Sequence, residues 1–192
     1  MGRVIVIEFV TLDGVITDPD GSGGTPQGGW AFRHGRETVA GDKFRLGATL
    51  DEGVLLLGRA TWQLFAGLWP SRSDEFSLRM NAVPKLVASH TALDVSAWAN
   101  SIVLDGELTD RVQEERGSRD VIVAGSASVV RTLQQHDLVD EYRLLTFPTI
   151  VGDGQRLFGC PGPSAELECT FAEPSGAAVL TFFAATRADA AR

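Results

Sequence analysis

The sequence predicts an α/β fold, a central and mostly parallel sheet with helices on both faces and an antiparallel hairpin at the carboxyl end. Three observations predict it. Asp120 to Val130 is an apolar run that breaks at Gly125 and restarts with helical spacing, the pattern of a buried strand, a tight turn and a helix start. Val54 to Leu57 is stopped by Gly58-Arg59-Ala60-Thr61-Trp62, a second unit of the same kind. Ala165 to Ala172 and Ala177 to Thr186 flank Pro174-Ser175-Gly176, which reads as a hairpin with its turn at those three residues.

Taken in order, Arg3 to Thr11 is the first strand, ending in Leu12-Asp13-Gly14-Val15. Asp18 to Gly29 follows, rich in Gly, Pro, Asp and Ser, and a loop of this length in a compact domain covers a site or moves. Trp30 and Phe32 close it, and two readings stay open: anchors on the core, or an aromatic wall for a planar ligand. From Glu37 to Leu50 the spacing of Val39, Phe44, Leu46 and Leu50 predicts an amphipathic helix, against which Gly41 and Gly47 count. Val54 to Leu57 is the second strand, and Lys85 to Ala88 the third, ending at Ser89-His90-Thr91. Ser101 to Leu104 is a short strand and Leu108 to Arg116 a charged surface helix. Val121, Ile122 and Val123 are β-branched with no polar interruption, as in a strand covered on both faces. Ser126 or Ser128 caps the helix that runs toward Gln135. Asp140 to Phe147 is a further strand, closed by Pro148. The organisation is one domain over residues 1–186, with Arg187 to Arg192 a frayed tail.

At 192 residues and 44% hydrophobic content the chain has enough apolar surface for one full core. A net charge of −8 argues against broad nucleic-acid binding, which needs a basic face. A small anion held by two or three donors remains compatible. No apolar run reaches the ~20 residues of a membrane span, and no signal-peptide pattern opens the chain, so the expected location is cytoplasmic. Cys160 and Cys169 are the only cysteines and the three histidines are scattered, so no metal site is expected and both cysteines read as packing residues.

The two strand-to-helix turns carry the chemistry. A helix start leaves unpaired N–H groups and a partial positive charge at the carboxyl edge of the sheet, where a phosphate binds. At Gly58 the turn adds Arg59, able to form paired bonds to phosphate oxygens, and Thr61, a further donor. The alternative is a Thr that satisfies its own helix beside a surface Arg.

Leu55 to Trp62, Pro84-Lys85 through Ser89, Val121 to Ser128, and Leu138-Val139-Asp140-Glu141-Tyr142-Arg143-Leu144 running into Phe147-Pro148 and Gly152 to Phe158 together resemble the dihydrofolate reductase-like family. The closest branch is that of the C-terminal reductase domain of bacterial riboflavin biosynthesis proteins. The resemblance implies an NADPH-dependent oxidoreductase passing a hydride to a planar nitrogen heterocycle, similar to 5-amino-6-(5-phosphoribosylamino)uracil reductase or dihydrofolate reductase. It implies that Gly58, Arg59 and Thr61 hold cofactor phosphates, that Ser89 lies near the adenosine 2′-phosphate, and that Gly125, Ser126, Ala127, Ser128 and Val129 lie under the pyrophosphate. Val10, Thr11 and Asp13 would stand beside the nicotinamide, with Trp30 close to the cofactor. Asp13 and Glu37 are the candidate catalytic acids. The chain departs from both well-known members: Glu37 and Asp42 lie outside the familiar context of the folate-binding acid, and Val123 stands where riboflavin-pathway reductases have a pyrimidine-binding glutamate. A non-catalytic NADPH-binding or regulatory protein of the same fold is the alternative. The family also implies a homodimer.

Overall fold

The structure is a computed structural model and describes residues 1–159 and 162–186; Cys160 and the expected tail at Arg187 to Arg192 lie outside them. Eight strands form one sheet in the order β4-β3-β2-β5-β1-β6-β8-β7. They are β1 (Val4–Thr11), β2 (Val54–Gly58), β3 (Lys85–Ala88), β4 (Ser101–Val103), β5 (Val121–Val123), β6 (Glu141–Phe147), β7 (Leu167–Ser175) and β8 (Ala178–Ala185). From β4 to β6 all neighbours are parallel, while β8 and β7 add antiparallel to the β6 edge. The hairpin turns at Gly176-Ala177, because Ser175 already pairs with Ala178 and Gly176 takes the left-handed conformation (φ 61°) that glycine adopts without penalty. The predicted turn residues Pro174 and Ser175 are therefore part of β7.

Five α-helices, α1 (Ala48–Glu52), α2 (Arg59–Ala66), α3 (Glu75–Ala82), α4 (Leu108–Arg116) and α5 (Ala127–Gln135), cover the two faces. Strand periodicity sorts the core between them. Val4, Val6 and Val10 of β1 join Val54, Leu56, Val121 and Val123 against Val112 of α4 and Val129, Val130 and Leu133 of α5. Ile5 and Ile7 join Leu55, Leu57, Val87 and Ile122 against Leu50 of α1, Trp62 of α2 and Met80 of α3. A third cluster, with Trp30, Leu145, Phe147 and Leu180, closes the hairpin side.

The single helix expected over Glu37 to Leu50 is not formed. A 3-10 turn at Arg36–Thr38 and the short α1 stand at its two ends, because Gly41 (φ 76°) and Gly47 (φ 47°) both adopt left-handed backbone that interrupts a right-handed helix. Conversely α3 arises where no helix was expected. Asp74 caps it by accepting hydrogen bonds from Ser77 N (3.1 Å) and Ser77 Oγ (2.5 Å). Cys169, expected to pack, is exposed on β7, since that edge strand has one face in solvent. Lys85 is 1% exposed; its Nζ donates to Val83 O (2.7 Å), Asn81 O (3.0 Å) and Ala99 O (3.0 Å) and lies 4.4 Å from the Trp98 ring centre.

Candidate active site at the carboxyl edge of the sheet

Strand order and helix placement locate the site. The chain leaves β2 toward β3 by α2 and α3 on one face, and leaves β5 toward β6 by α5 on the other. β2 and β5 are neighbours, so the connections part between them, and ligands bind at such a switch point beyond the carboxyl ends of the strands. The helices α2 and α5 begin there from opposite faces.

The two turns are locked together. Gly58 N donates to Gly125 O at 3.0 Å, and Thr61 Oγ1 lies 3.1 Å from Ser126 Oγ. A Cβ placed on Gly58 would lie 2.2 Å from Ser126 Oγ, so the approach requires glycine. Gly125 adopts φ 84° and its bond to Ser126 is cis. Ser126 is the N-cap of α5, as expected, but its side chain makes no cap hydrogen bond, and neither does the N-cap of α2, Gly58. The hydroxyl expected to cap α5 faces Thr61 instead. First-turn N–H groups of both helices, including those of Ala127, Ser128 and Val129, therefore have no side-chain cap.

Toward β3 the edge carries a cation and hydroxyls. The Arg59 guanidinium donates to Thr91 Oγ1 and to Ala92 O (3.3 Å), and Ser89 Oγ donates to Thr91 O (2.8 Å). Arg59, Ser89 and Thr91 therefore form one cluster across the ends of β2 and β3. Thr91 carried no part in the sequence reading of the phosphate site; its place is set by the loop after β3.

On the other side, β5 ends at Val123 opposite Val6, so β1 runs on toward Thr11 without a neighbour on that side. Val10 and Thr11 are both buried. Thr11 Oγ1 donates to Asp13 Oδ1 at 2.6 Å and accepts from Val15 N at 2.9 Å. Asp13 also accepts from Val151 N (3.3 Å) and Gly152 N (2.8 Å). The Thr11 hydroxyl, the largest influence, together with the Gly152 and Val151 amides holds the Asp13 carboxyl below its usual range, against desolvation that raises it. Asp13 is thereby an ionised clasp between the end of β1 and the loop after β6, rather than a store of protons.

Two other candidates are placed away from the crevice. Trp30 is 0% exposed, its Nε1 donates to Thr17 O at 2.8 Å, and it packs edge-on against Phe147 at 5.4 Å. Of the two readings left open, the anchor is the one the geometry realises. The loop it anchors is wound around Asp18, which accepts from Gly23 N (2.7 Å) and from Thr25 N (2.9 Å). Glu37 is exposed and folds back over Gly35, next to Thr38, which touches Gly176 of the hairpin.

Glu8 is the acid that sequence reasoning passed over. It stands on β1 two residues past Val6, and its Oε2 lies 3.9 Å from a Cβ placed on Gly125, whose other side meets Thr61 Oγ1 at 3.2 Å. Its Oε1 accepts from Phe9 N at 3.2 Å. Burial pushes its pKa up to about 8, only partly opposed by that N–H. The signal was visible: one acid in the otherwise apolar run Val4 to Val10.

Sequence comparison finds the same pattern elsewhere. Residues 3–181 match the family model of the RibD C-terminal domain. The chain belongs to that family. Its fold matches a protein assigned to riboflavin biosynthesis from Shewanella sp. PV-4, with a TM-score of 0.75, 21% identity, and 97% of this chain and 100% of that one covered. RibD of Acinetobacter baumannii superposes with a TM-score of 0.65 at 14% identity, covering 97% of this chain and 59% of that protein. A pyrimidine reductase-like protein from Corynebacterium diphtheriae gives 0.61 at 13% identity, with 97% and 93% covered. Among sequences, the uncharacterized protein YyaP of Bacillus subtilis is 27% identical over 112 residues, 55% of this chain and 58% of that protein. The eight-stranded sheet with its C-terminal hairpin is thus the dihydrofolate reductase-like fold of the RibD C-terminal domain. Among the described residues no helix is long and apolar enough to cross a membrane, and no group of three metal-ligating side chains is present.

Proposed function

We propose that this RibD C-terminal domain protein is an NADPH-dependent reductase that passes a hydride to a small, planar nitrogen heterocycle. One observation carries the reading: two helix starts without side-chain caps converge on one crevice, flanked by Arg59, Ser89 and Thr91. That donor set fits a dinucleotide phosphate. The amides of Ala127, Ser128 and Val129 would take the pyrophosphate, and Arg59 with Ser89 the 2′-phosphate that distinguishes NADPH from NADH. The stretch of β1 from Ile7 to Thr11, paired with β6 on one side and open where β5 has ended, would lie along the reactive ring. Bound there, a reduced nicotinamide supplies the hydride; the chain supplies orientation, exclusion of water and a proton. The pyrimidine reductase-like and riboflavin-biosynthesis relatives favour a nitrogen heterocycle as acceptor.

Titration of the protein with NADPH and NADH by nucleotide fluorescence tests it. Loss of a charged hydrogen bond weakens binding by ~1.5–3 kcal/mol, or about 10- to 100-fold. Arg59→Ala should therefore weaken NADPH by that factor and leave NADH within about twofold. Absence of binding by either nucleotide overturns the proposal. Tight binding with no NADPH oxidation across a panel of pterins and pyrimidines would assign the chain to the non-catalytic alternative. We further propose a homodimer in the cytoplasm; light scattering that returns a monomer refutes the dimer.

A further inference from the structure

We propose that Glu8 is the catalytic acid of this site, the group that holds a proton in the crevice and delivers it to the acceptor. The inference rests on the reductase reading above and adds the residue that completes the reaction.

Four observations converge on Glu8. Its position is the first: β1 has lost β5 as a neighbour after Val6, and Glu8 is next to the Gly125 turn at the switch-point crevice. The second is its surroundings. Val6 and Val10 lie before and after it on the same face of β1, Leu144 is its register partner on β6, and Gly125 and the Thr61 hydroxyl face it from the two turns. None of these carries a charge, and among the described residues no cation pairs with Glu8. The third is its hydrogen bonding: one oxygen accepts from Phe9 N, and no other partner takes the second oxygen among the described residues. A half-buried carboxyl with uncharged neighbours on every side is favoured as the neutral acid, which has a proton to give. The fourth is elimination. Asp13 is clasped by Thr11, Val151 and Gly152, and Glu37 is exposed beside the hairpin.

The step balances as follows. The acceptor's C=N or C=O carbon gains the hydride, two electrons and one hydrogen, and the dihydronicotinamide is oxidised. The Glu8 O–H bond breaks and its proton joins the acceptor's nitrogen or oxygen, so that the double bond becomes single. Glu8 is left as a carboxylate and regains a proton from water before the next turnover.

Calorimetric binding of NADP+ and NADPH near neutral pH, in buffers of different ionisation enthalpy, tests the assignment without needing the acceptor. In the native protein NADP+ binding should release a substantial fraction of one proton, because its cationic ring lowers the Glu8 pKa, whereas NADPH should release much less. Glu8→Gln, which replaces a neutral acid by a neutral amide of the same shape, should bind both nucleotides within about threefold of native and abolish the difference. Infrared titration should show a protonated carboxyl band that persists toward pH 8 and is missing from Glu8→Gln. Native and variant proteins that bind NADP+ with the same proton release would overturn the role of Glu8 and leave the reductase reading standing. Failure of the native protein to bind either nucleotide would overturn both.

Discussion

Gly58→Ala is the perturbation that most directly probes the joined turns. The backbone at Gly58 (φ −75°, ψ 158°) is extended and suits any residue, so the whole cost is steric. The new methyl would meet Ser126 Oγ at 2.2 Å, Ser126 Cβ at 2.8 Å and Ser126 N at 3.1 Å. A hydroxyl can rotate away; the Cβ and the amide cannot without moving the start of α5 from β2. The 3.0 Å bond from Gly58 N to Gly125 O must lengthen as they part. Overpacking of this kind costs ~1–3 kcal/mol, which lowers Tm by about 2–12 °C in a domain of this size. Separation of the two helix starts should also weaken NADPH about tenfold, the equivalent of ~1.4 kcal/mol. Thermal unfolding and nucleotide titration measure both. The decisive comparison is a double-mutant cycle with Ser126→Gly, which removes the two side-chain atoms that the methyl strikes and leaves only the amide at 3.1 Å. Coupling of ~1 kcal/mol or more, with Gly58→Ala less harmful in the Ser126→Gly background, is the expected result. Gly58→Ala with native Tm and native NADPH affinity would refute the claim that the two turns are locked.

Lys85→Met keeps the aliphatic stem but removes the donors to three carbonyls, at Asn81, Val83 and Ala99. Unmatched buried acceptors should lower stability by about 2–5 kcal/mol, read from urea midpoints, and a loss under about 1 kcal/mol would contradict the bonding described. Glu8 makes a prediction about stability as well. Its folded pKa of about 8 lies above the ordinary glutamate value of 4.5, so the native state binds more protons than the unfolded state between those values. Stability should therefore fall as pH rises from about 4.5 to 8 and level off above, and Glu8→Gln should flatten that part of the profile and exceed the native protein at pH 8 by on the order of a few kcal/mol. Parallel profiles for the two proteins would show that the Glu8 carboxyl is not held in its neutral form.

The parallel strands were legible because burial on both faces leaves unbroken apolar runs, as in Val54 to Leu57 and Val121 to Val123. The helix Leu108–Arg116 was equally clear, bounded by the turn around Gly106 and by Gly117. What escaped depended on backbone conformation, on short local caps, or on contacts remote in sequence. Hydrophobic spacing over Glu37 to Leu50 resembles a helix, yet those residues pack on a curved path set by Gly41 and Gly47. The cap that starts α3 is two short side-chain bonds from Asp74 to Ser77, a signal too local to stand out from the surrounding polar residues. At the site, Gly58 and Gly125 announced themselves as glycines directly after apolar strands, Gly125 for its left-handed turn and Gly58 for the close approach of Ser126. Trp30 was ambiguous until Phe147 and Thr17, 117 and 13 residues away, enclosed it. Glu8 escaped for the opposite reason: an acid within a strand reads as one solvent-facing position of an alternation, and only the early end of β5 shows what it faces.

The position of β1 bears on how the chain is made. Of the eight strands described, β1 is synthesised first, and it is seated between β5 and β6, with Val4 aligned to Val121 and Ile5 to Glu141. At ordinary elongation rates its partners emerge on the order of 5–20 s later. Throughout that interval Val4 to Val10 is an apolar segment with no sheet to join, and β2, β3 and β4 can assemble only as an open edge awaiting β5.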